Sequence, residues 1–328
     1  MKQKIVLLSL LVMVTLAVVN MQSCKPFQLL ATENNIQMLP KLSDYPIFQG
    51  AASELKPAGD FKLYELSTGL FTDYAEKQRL IKVPPGSKLT AINDELPDFP
   101  DGTILVKTFY YFNDKRDLSK GKRLIETRLL IKAHSKWNAG TYQWNNDQTE
   151  ALLITNGMNI PVNWVDKNGT AKAINYHMPG NKECATCHHS DNSIMPIGLK
   201  IRNLNTEVTR SNKEINQLLY LEKEGIFDPI DPSSFARLPN WQNKSLPIEE
   251  RARAYMDINC AHCHSEKGYC SISKLWLGYE IPLHTTQVTE KAKRIDKLMT
   301  KKNMPMLGTT IIDEEGLSLI KEYVKNLK

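Results

Sequence analysis

The chain runs to 328 residues, enough for about two domains, with 42 Lys and Arg against 36 Asp and Glu and a formal charge of +6. So small an excess, spread along the chain, gives no basis for binding nucleic acid. Hydrophobic residues make up 41% of the chain, and no internal repeat or low-complexity tract interrupts them, so a solenoid and a disordered protein are both excluded.

Lys2 and Lys4 precede an apolar run from Ile5 to Val19. About fifteen residues is short for a membrane-spanning helix and suits a secretion signal. Ser23-Cys24 follows and resembles the lipobox of bacterial lipoproteins, in which cleavage leaves the cysteine as the lipid-bearing first residue; Gln22 departs from that pattern. The expectation is a signal over residues 1–23, a lipid anchor on Cys24, and a periplasm-facing lipoprotein of the cell envelope, in the outer or inner membrane. Ordinary secretion with Cys24 incidental is the alternative. Residues 24–45 read as a tether.

Residues 46–175 read as a β-rich domain. From Gly102 to Phe112, Ile104, Val106, Thr108 and Tyr110 alternate with Leu105, Lys107, Phe109 and Tyr111, and residues 123–132 repeat the pattern. Period-two patterning of β-branched and aromatic residues predicts half-buried strands. Asn156-Gly157 and Asn168-Gly169 predict tight type I′ hairpins, because both turn residues tolerate positive φ. Together these predict an antiparallel, sandwich-like β domain.

Residues 176–244 carry the first of two related motifs, a helix predicted over 214–224 and ended by Gly225, and a proline-broken linker from 226. In 245–328 a helix predicted from Ser245 and Pro247 runs into the second motif. Asp313 is placed as the N-cap of a closing helix with Leu317, Ile320, Val324 and Leu327 on its buried stripe. The fold class expected is α+β, an N-terminal antiparallel β-sandwich-like domain followed by a mainly helical region. The lysine-rich segment 291–302 reads as a solvated helix face, with docking to an acidic redox partner as the sharper alternative.

The two motifs are Cys184-Ala185-Thr186-Cys187-His188 and Cys260-Ala261-His262-Cys263-His264. Cys-x-x-Cys-His is the attachment signature of c-type haem. Each thiol adds across a porphyrin vinyl, and the histidine supplies its imidazole to the iron. Two intervening residues place both sulfurs on one helical turn. The expectation is two covalently bound haem c groups, held by Cys184 and Cys187 with His188, and by Cys260 and Cys263 with His264. Zinc is the alternative ligand of two thiolates and a histidine, but a structural zinc site needs a fourth donor. Met304, followed by Pro305, is the expected second axial ligand of the second iron, ahead of Met306 and Met299. A methionine there raises the reduction potential. For the first iron the choice is Met195, with Met178 and His177 also nearby. His262 reads as exposed filler, and Cys270 as a buried or unreactive thiol.

A helix into Cys-x-x-Cys-His, a Met-Pro loop and a closing amphipathic helix make residues 245–328 resemble a class I cytochrome c. The chain from about residue 65 onward also resembles a family of secreted dihaem c-type cytochromes with an N-terminal β domain. The matching stretches are Leu70-Phe71-Thr72-Asp73-Tyr74-Ala75, Lys107-Thr108-Phe109-Tyr110, Ile125-Glu126-Thr127-Arg128-Leu129-Leu130, Pro196-Ile197-Gly198, Arg202-Asn203-Leu204-Asn205 and Arg251-Ala252-Arg253-Ala254-Tyr255. Cys270 and the short interval before Met304 depart from that pattern. The family is largely uncharacterised, so the resemblance implies haem content and architecture. The function expected is electron transfer in the envelope with redox partner proteins. A haem enzyme, peroxidase-like or the electron-accepting subunit of a dehydrogenase, is the alternative.

Overall fold

The computed structural model describes residues 36–191 and 193–327. The signal and the lipid site at Cys24 lie outside the described residues. The chain is α+β. Its frame is a six-stranded antiparallel meander in sequence order: β1 (Lys62–Leu63), β2 (Glu76–Lys82), β3 (Ile104–Phe112), β4 (Lys122–Ala133), β5 (Lys136–Trp144) and β6 (Ala151–Ile154). A separate hairpin follows, β7 (Met158–Val165) with β8 (Ala171–Met178).

The alternation in β3 and β4 is present, but both faces are covered, so these strands are central rather than half-buried. One face packs Val106, Leu129, Tyr142 and Trp144 under the N-terminal segment, with Ile36, Met38, Leu42, Ile47 and Phe61. Residues 36–45 therefore pack against the sheet instead of hanging as a tether; Lys41 bridges Leu152.

The other face is covered in two pieces. The β7–β8 hairpin lies over Phe109, Tyr111 and Ile125 with Ile160, Val162, Trp164 and Tyr176. The segment after the first motif lies over Ile81, Leu105 and Trp137 with Leu199, Ile201, Leu204 and Leu218. The second layer is thus one hairpin and a set of short elements, not a full second sheet.

Two turn expectations change. Asn156-Gly157 joins β6 to β7, which belong to different sheets, so it is a crossover. Asn168-Gly169 does turn the β7–β8 hairpin, but only Gly169 has positive φ (+83°). The Asp166 carboxylate accepts the N–H groups of Asn168 and Thr170 there, an Asx-type turn.

The first motif lies on α1 (Asn181–Cys187). After it come β9 (His189–Ser190) with β10 (Ser193–Ile194), α2 (Ile201–Leu204), and β11 (Glu207–Arg210) with β12 (Lys213–Asn216). The helix expected over 214–224 is α3 (Gln217–Lys223), because Asn216 caps it by accepting Leu218 N–H and its first residues pair as β12 instead. Residues 226–244 are irregular but are no free linker: Ile226, Phe227 and Leu238 are buried, and Phe227 bridges Leu89.

The C-terminal helices are α4 (Ile248–Asn259), α5 (Leu283–Thr286), α6 (Val288–Thr300) and α7 (Glu314–Asn326). In α6 only Val288 is buried, as a solvated face requires. Asp313 caps α7 by accepting Gly316 N–H at 3.0 Å. Its stripe, Leu319, Ile320, Tyr323 and Val324, packs on Ala252, Tyr255 and Met256 of α4. The two helices touch at Gly316, where a Cβ would stand 2.4 Å from the Tyr255 ring. No helix among the described residues is long and apolar enough to cross a membrane.

Gly316→Ala puts helix propensity and packing in opposition. Propensity alone stabilises by about 1 kcal/mol, whereas overpacking costs about 1–3 kcal/mol. Packing wins where the Tyr255 ring cannot move, so the expected result is a lower Tm in thermal denaturation. An unchanged or raised Tm would show that α4 and α7 can separate without cost.

Candidate functional site

In the first motif, α1 places Cys184 and Cys187 one turn apart, with the His188 N–H bonded to Cys184 O at 2.9 Å. The His188 ring nitrogen Nδ1 lies 2.7 Å from Met195 O. A carbonyl can only accept, so Nδ1 carries the proton and Nε2 keeps its lone pair for a ligand. Burial, and then the cations Lys107 and Arg128 among its neighbours, bring the His188 pKa down to about 3, so the ring is neutral.

The second motif sits just past α4, which ends at Asn259. It continues as turns, with Cys263 N–H and His264 N–H both donating to Cys260 O. His264 Nδ1 lies 3.3 Å from Ser273 Oγ. Burial, then Lys291, lowers its pKa to about 4.

Each motif opens onto its own cavity. Cys184, Cys187 and His188 line the first, walled by the sheet through Leu105, Lys107, Arg128, Gly140 and Thr141 and closed by Leu70, Phe71 and Thr72. Cys260, Cys263 and His264 line the second with Leu275, Leu277, Ile295 and Leu298. The cavities, mouths included, enclose about 1100 and 1200 Å³ between atoms. Cys187, Asn259, His262, Pro305 and Leu307 line both, so the two motifs abut.

Met304 lines the second cavity with His264, and so do Met299 and Met306. Met195 gives His188 its carbonyl, while its side chain packs with the cluster around Leu199; the first cavity has no methionine in its lining. Met178, the last residue of β8, is buried in the hairpin's cluster, and His177 pairs with Glu183 at 2.9 Å. His262 is not exposed filler: it lines both cavities, and burial lowers its pKa to about 4. Cys270 is buried, but it is disulfide-bonded rather than a free thiol.

A further residue went unsingled in the sequence. Asp73, buried and at φ 52°, accepts Thr310 N–H at 2.8 Å, Thr310 Oγ–H at 2.8 Å and Ile311 N–H at 3.2 Å. It thereby ties the loop after Met304 to the β region. The one available signal was its place in the stretch Leu70–Ala75.

No protein-family model matches the chain, and neither a curated protein nor a solved structure matches it. The residues alone say what could be held. Among the described residues no three His, Cys, Asp or Glu converge as a metal-ligand group. Each motif instead brings two thiols and one neutral imidazole to its cavity, a donor set that could hold a haem c group, and His262 stands between the two cavities.

Burial raises the Cys187 thiol to about 11 and Cys260 and Cys263 to about 12, with Cys184 raised as well. In folded protein lacking any cofactor, these four thiols are expected to alkylate at pH 8 at least about tenfold more slowly than in urea, because the thiolate is the nucleophile. Equal rates in the two states would place them in solvent.

Proposed function

We propose that the protein is a dihaem c-type cytochrome that carries electrons in the bacterial cell envelope. The observation that carries this reading is the pair of Cys-x-x-Cys-His turns, each at its own apolar cavity, the two cavities sharing five lining residues. Bound haem would supply a one-electron couple at each site. Cys184 and Cys187 would hold the first group and Cys260 and Cys263 the second, with His188 and His264 as axial donors. Met304 is the proposed second donor to the second iron, since the loop that bears it lines the cavity and is pinned by Asp73. Met195 remains the sequence's candidate for the first, and would have to turn its side chain out of the Leu199 cluster.

The chain's own residues set the conditions for transfer. The Met195 carbonyl fixes the tautomer and orientation of His188, and Ser273 stands beside His264. The apolar linings exclude water, which lowers the reorganisation required when charge changes. Cys187 of the first motif lines the second cavity together with Cys263, so the proposed attachment sites would lie near one another. The crossing of α4 with α7 supports a class I cytochrome c-like unit over residues 245–328. Envelope redox proteins are the proposed partners, and the lipobox-like Ser23-Cys24 supports a lipid anchor on Cys24, which requires that its thiol carry the lipid and take no part in a disulfide. The mass of the mature protein, read with and without reductant, tests the anchor and the state of Cys270 together.

A second reading has an observation of its own. Among the described residues no methionine lines the first cavity, which supports an open position at the first iron, of the kind a peroxidase-like enzyme uses, unless His262 or Lys107 fills it.

Protein matured in a host with cytochrome c assembly is expected to give two haems per chain by pyridine haemochrome and a weak ferric band near the 695 nm region. Met304→Ala should abolish that band, and Asp73→Ala should weaken it by loosening the loop. Folded protein with no covalent haem would refute the proposal. A high-spin first haem with peroxide turnover would favour the enzyme reading.

A further inference from the structure

On the sheet face between its two coverings, register places Arg79 opposite Lys107, Lys107 opposite Arg128, and Arg128 opposite Thr141. Directly opposed residues share a face, so these four form one row across β2, β3, β4 and β5. The row ends at the first motif: Thr141 Oγ lies 3.7 Å from Cys184 Sγ. Lys107 and Arg128 line the first cavity, their charged groups 4.9 and 4.5 Å from the Phe109 ring centre.

The row has too few anions. The carboxylates acting on it are committed: Glu126 to Arg128 and to Tyr176 Oη at 2.6 Å, Glu76 to Lys115 at 2.7 Å, and Glu65 to Arg210 at 2.8 Å. Arg79 and Lys107 have no ion-pair partner among the described residues. Burial, then Arg79, Lys77 and Arg128, drives the Lys107 amine well below its usual range, and Lys77 falls to about 7. A lysine so placed tends to give up its proton rather than bear an uncompensated charge, and an incoming anion would restore the charged form and pair with it.

Porphyrin geometry says which anion. Vinyl and propionate groups occupy opposite edges of the macrocycle. With the vinyl edge fixed at Cys184, beside Thr141, the propionate edge falls about two to three strands along the row. Strands are spaced about 4.8 Å apart, so this is roughly 10–14 Å away, at Lys107 and Arg79.

Resting on the dihaem reading, we propose that Lys107 and Arg79, supported by Arg128, form a sheet-borne site for the propionates of the first haem. The β domain is then a wall of the first site and a determinant of its potential.

The test uses full-length, haem-loaded protein carrying Lys107→Met, Lys107→Arg or Arg79→Met. All three should keep two covalent haems. In Lys107→Met and Arg79→Met the oxidised form of one haem should be favoured by about tenfold, 59 mV for one electron, with a shifted propionate-bending band in resonance Raman. Lys107→Arg should restore both readings. Unchanged potentials and an unchanged propionate band in both Met variants would overturn the proposal. So would a low-spin to high-spin conversion in Lys107→Met, which would make Lys107 an iron ligand. Absence of haem from the unmutated protein would instead remove the dihaem reading itself.

Discussion

The Asp73 carboxylate is the contact on which the placement of the two cavities depends. It sits in the left-handed region, which costs a non-glycine residue of order 1 kcal/mol, and it is buried, which raises its pKa. Two backbone N–H groups and one hydroxyl from Thr310 and Ile311 meet it, and Tyr111 Oη donates to its backbone oxygen at 2.7 Å. The segment held this way includes Leu307, a wall of both cavities, and Gly308 and Thr309, which line the first. Next to Asp73 in sequence, Phe71 N–H donates to Asn259 Oδ1 at 2.7 Å, tying the same stretch to the end of α4, just before the second motif. One six-residue stretch therefore closes the first cavity and fixes two elements of the second.

A charged junction holds the remaining side together. Arg202 of α2, 2% exposed, reaches Glu95 in the β region, Asp257 on α4 at 2.9 Å, and Glu280 at 2.7 Å. Lys200 also reaches Asp257, at 2.9 Å, and these two cations hold its carboxyl below the usual range despite burial. Pairing of this kind adds little net stability against an apolar equivalent, but loss of one partner strands a buried charge. It specifies one arrangement of three chain regions, which a slippery apolar contact would leave looser. The stretches Leu70–Ala75 and Arg202–Asn205 thus mark the joints between regions as well as the walls of sites.

Local rules made much of this legible. The strands at 104–112 and 122–133, the cap at Asp313 and the stripe of α7 follow from period, capping chemistry and helix spacing, and the structure has them all. The Cys-x-x-Cys-His residues were legible as motifs, and the structure sets each of them at a cavity. What could not be read depends on contacts distant in sequence. A period-two pattern cannot tell whether one or both faces of a strand are covered, so nothing in it placed Lys107 and Arg128 on a covered face. A proline-rich segment such as 226–244 lacks regular hydrogen bonding whether it is free or packed, and only Leu89 and the α3 cluster decide the matter. The β12 pairing that shortens α3 is set by β11, whose strength no helix pattern in 214–224 registers.

The pattern of cost across the molecule has a direction. Apolar burial in the α4–α7 crossing and beneath the N-terminal segment stabilises the chain by itself, roughly 1.5–3 kcal/mol for each large side chain. The first cavity runs the other way: Lys107 without a counter-ion among the described residues, Arg128 paired only with Glu126, a neutral histidine with its lone pair uncommitted, and thiols raised by burial all line it. Such a surface would suit an occupant apolar in its middle and anionic at one edge, as the proposed first haem would be. A ligand that binds the folded state alone adds its binding energy to stability. On the proposed reading, occupation of this cavity and docking of the helical half against the sheet would be coupled, and the sheet would be part of the first site rather than a neighbour to it.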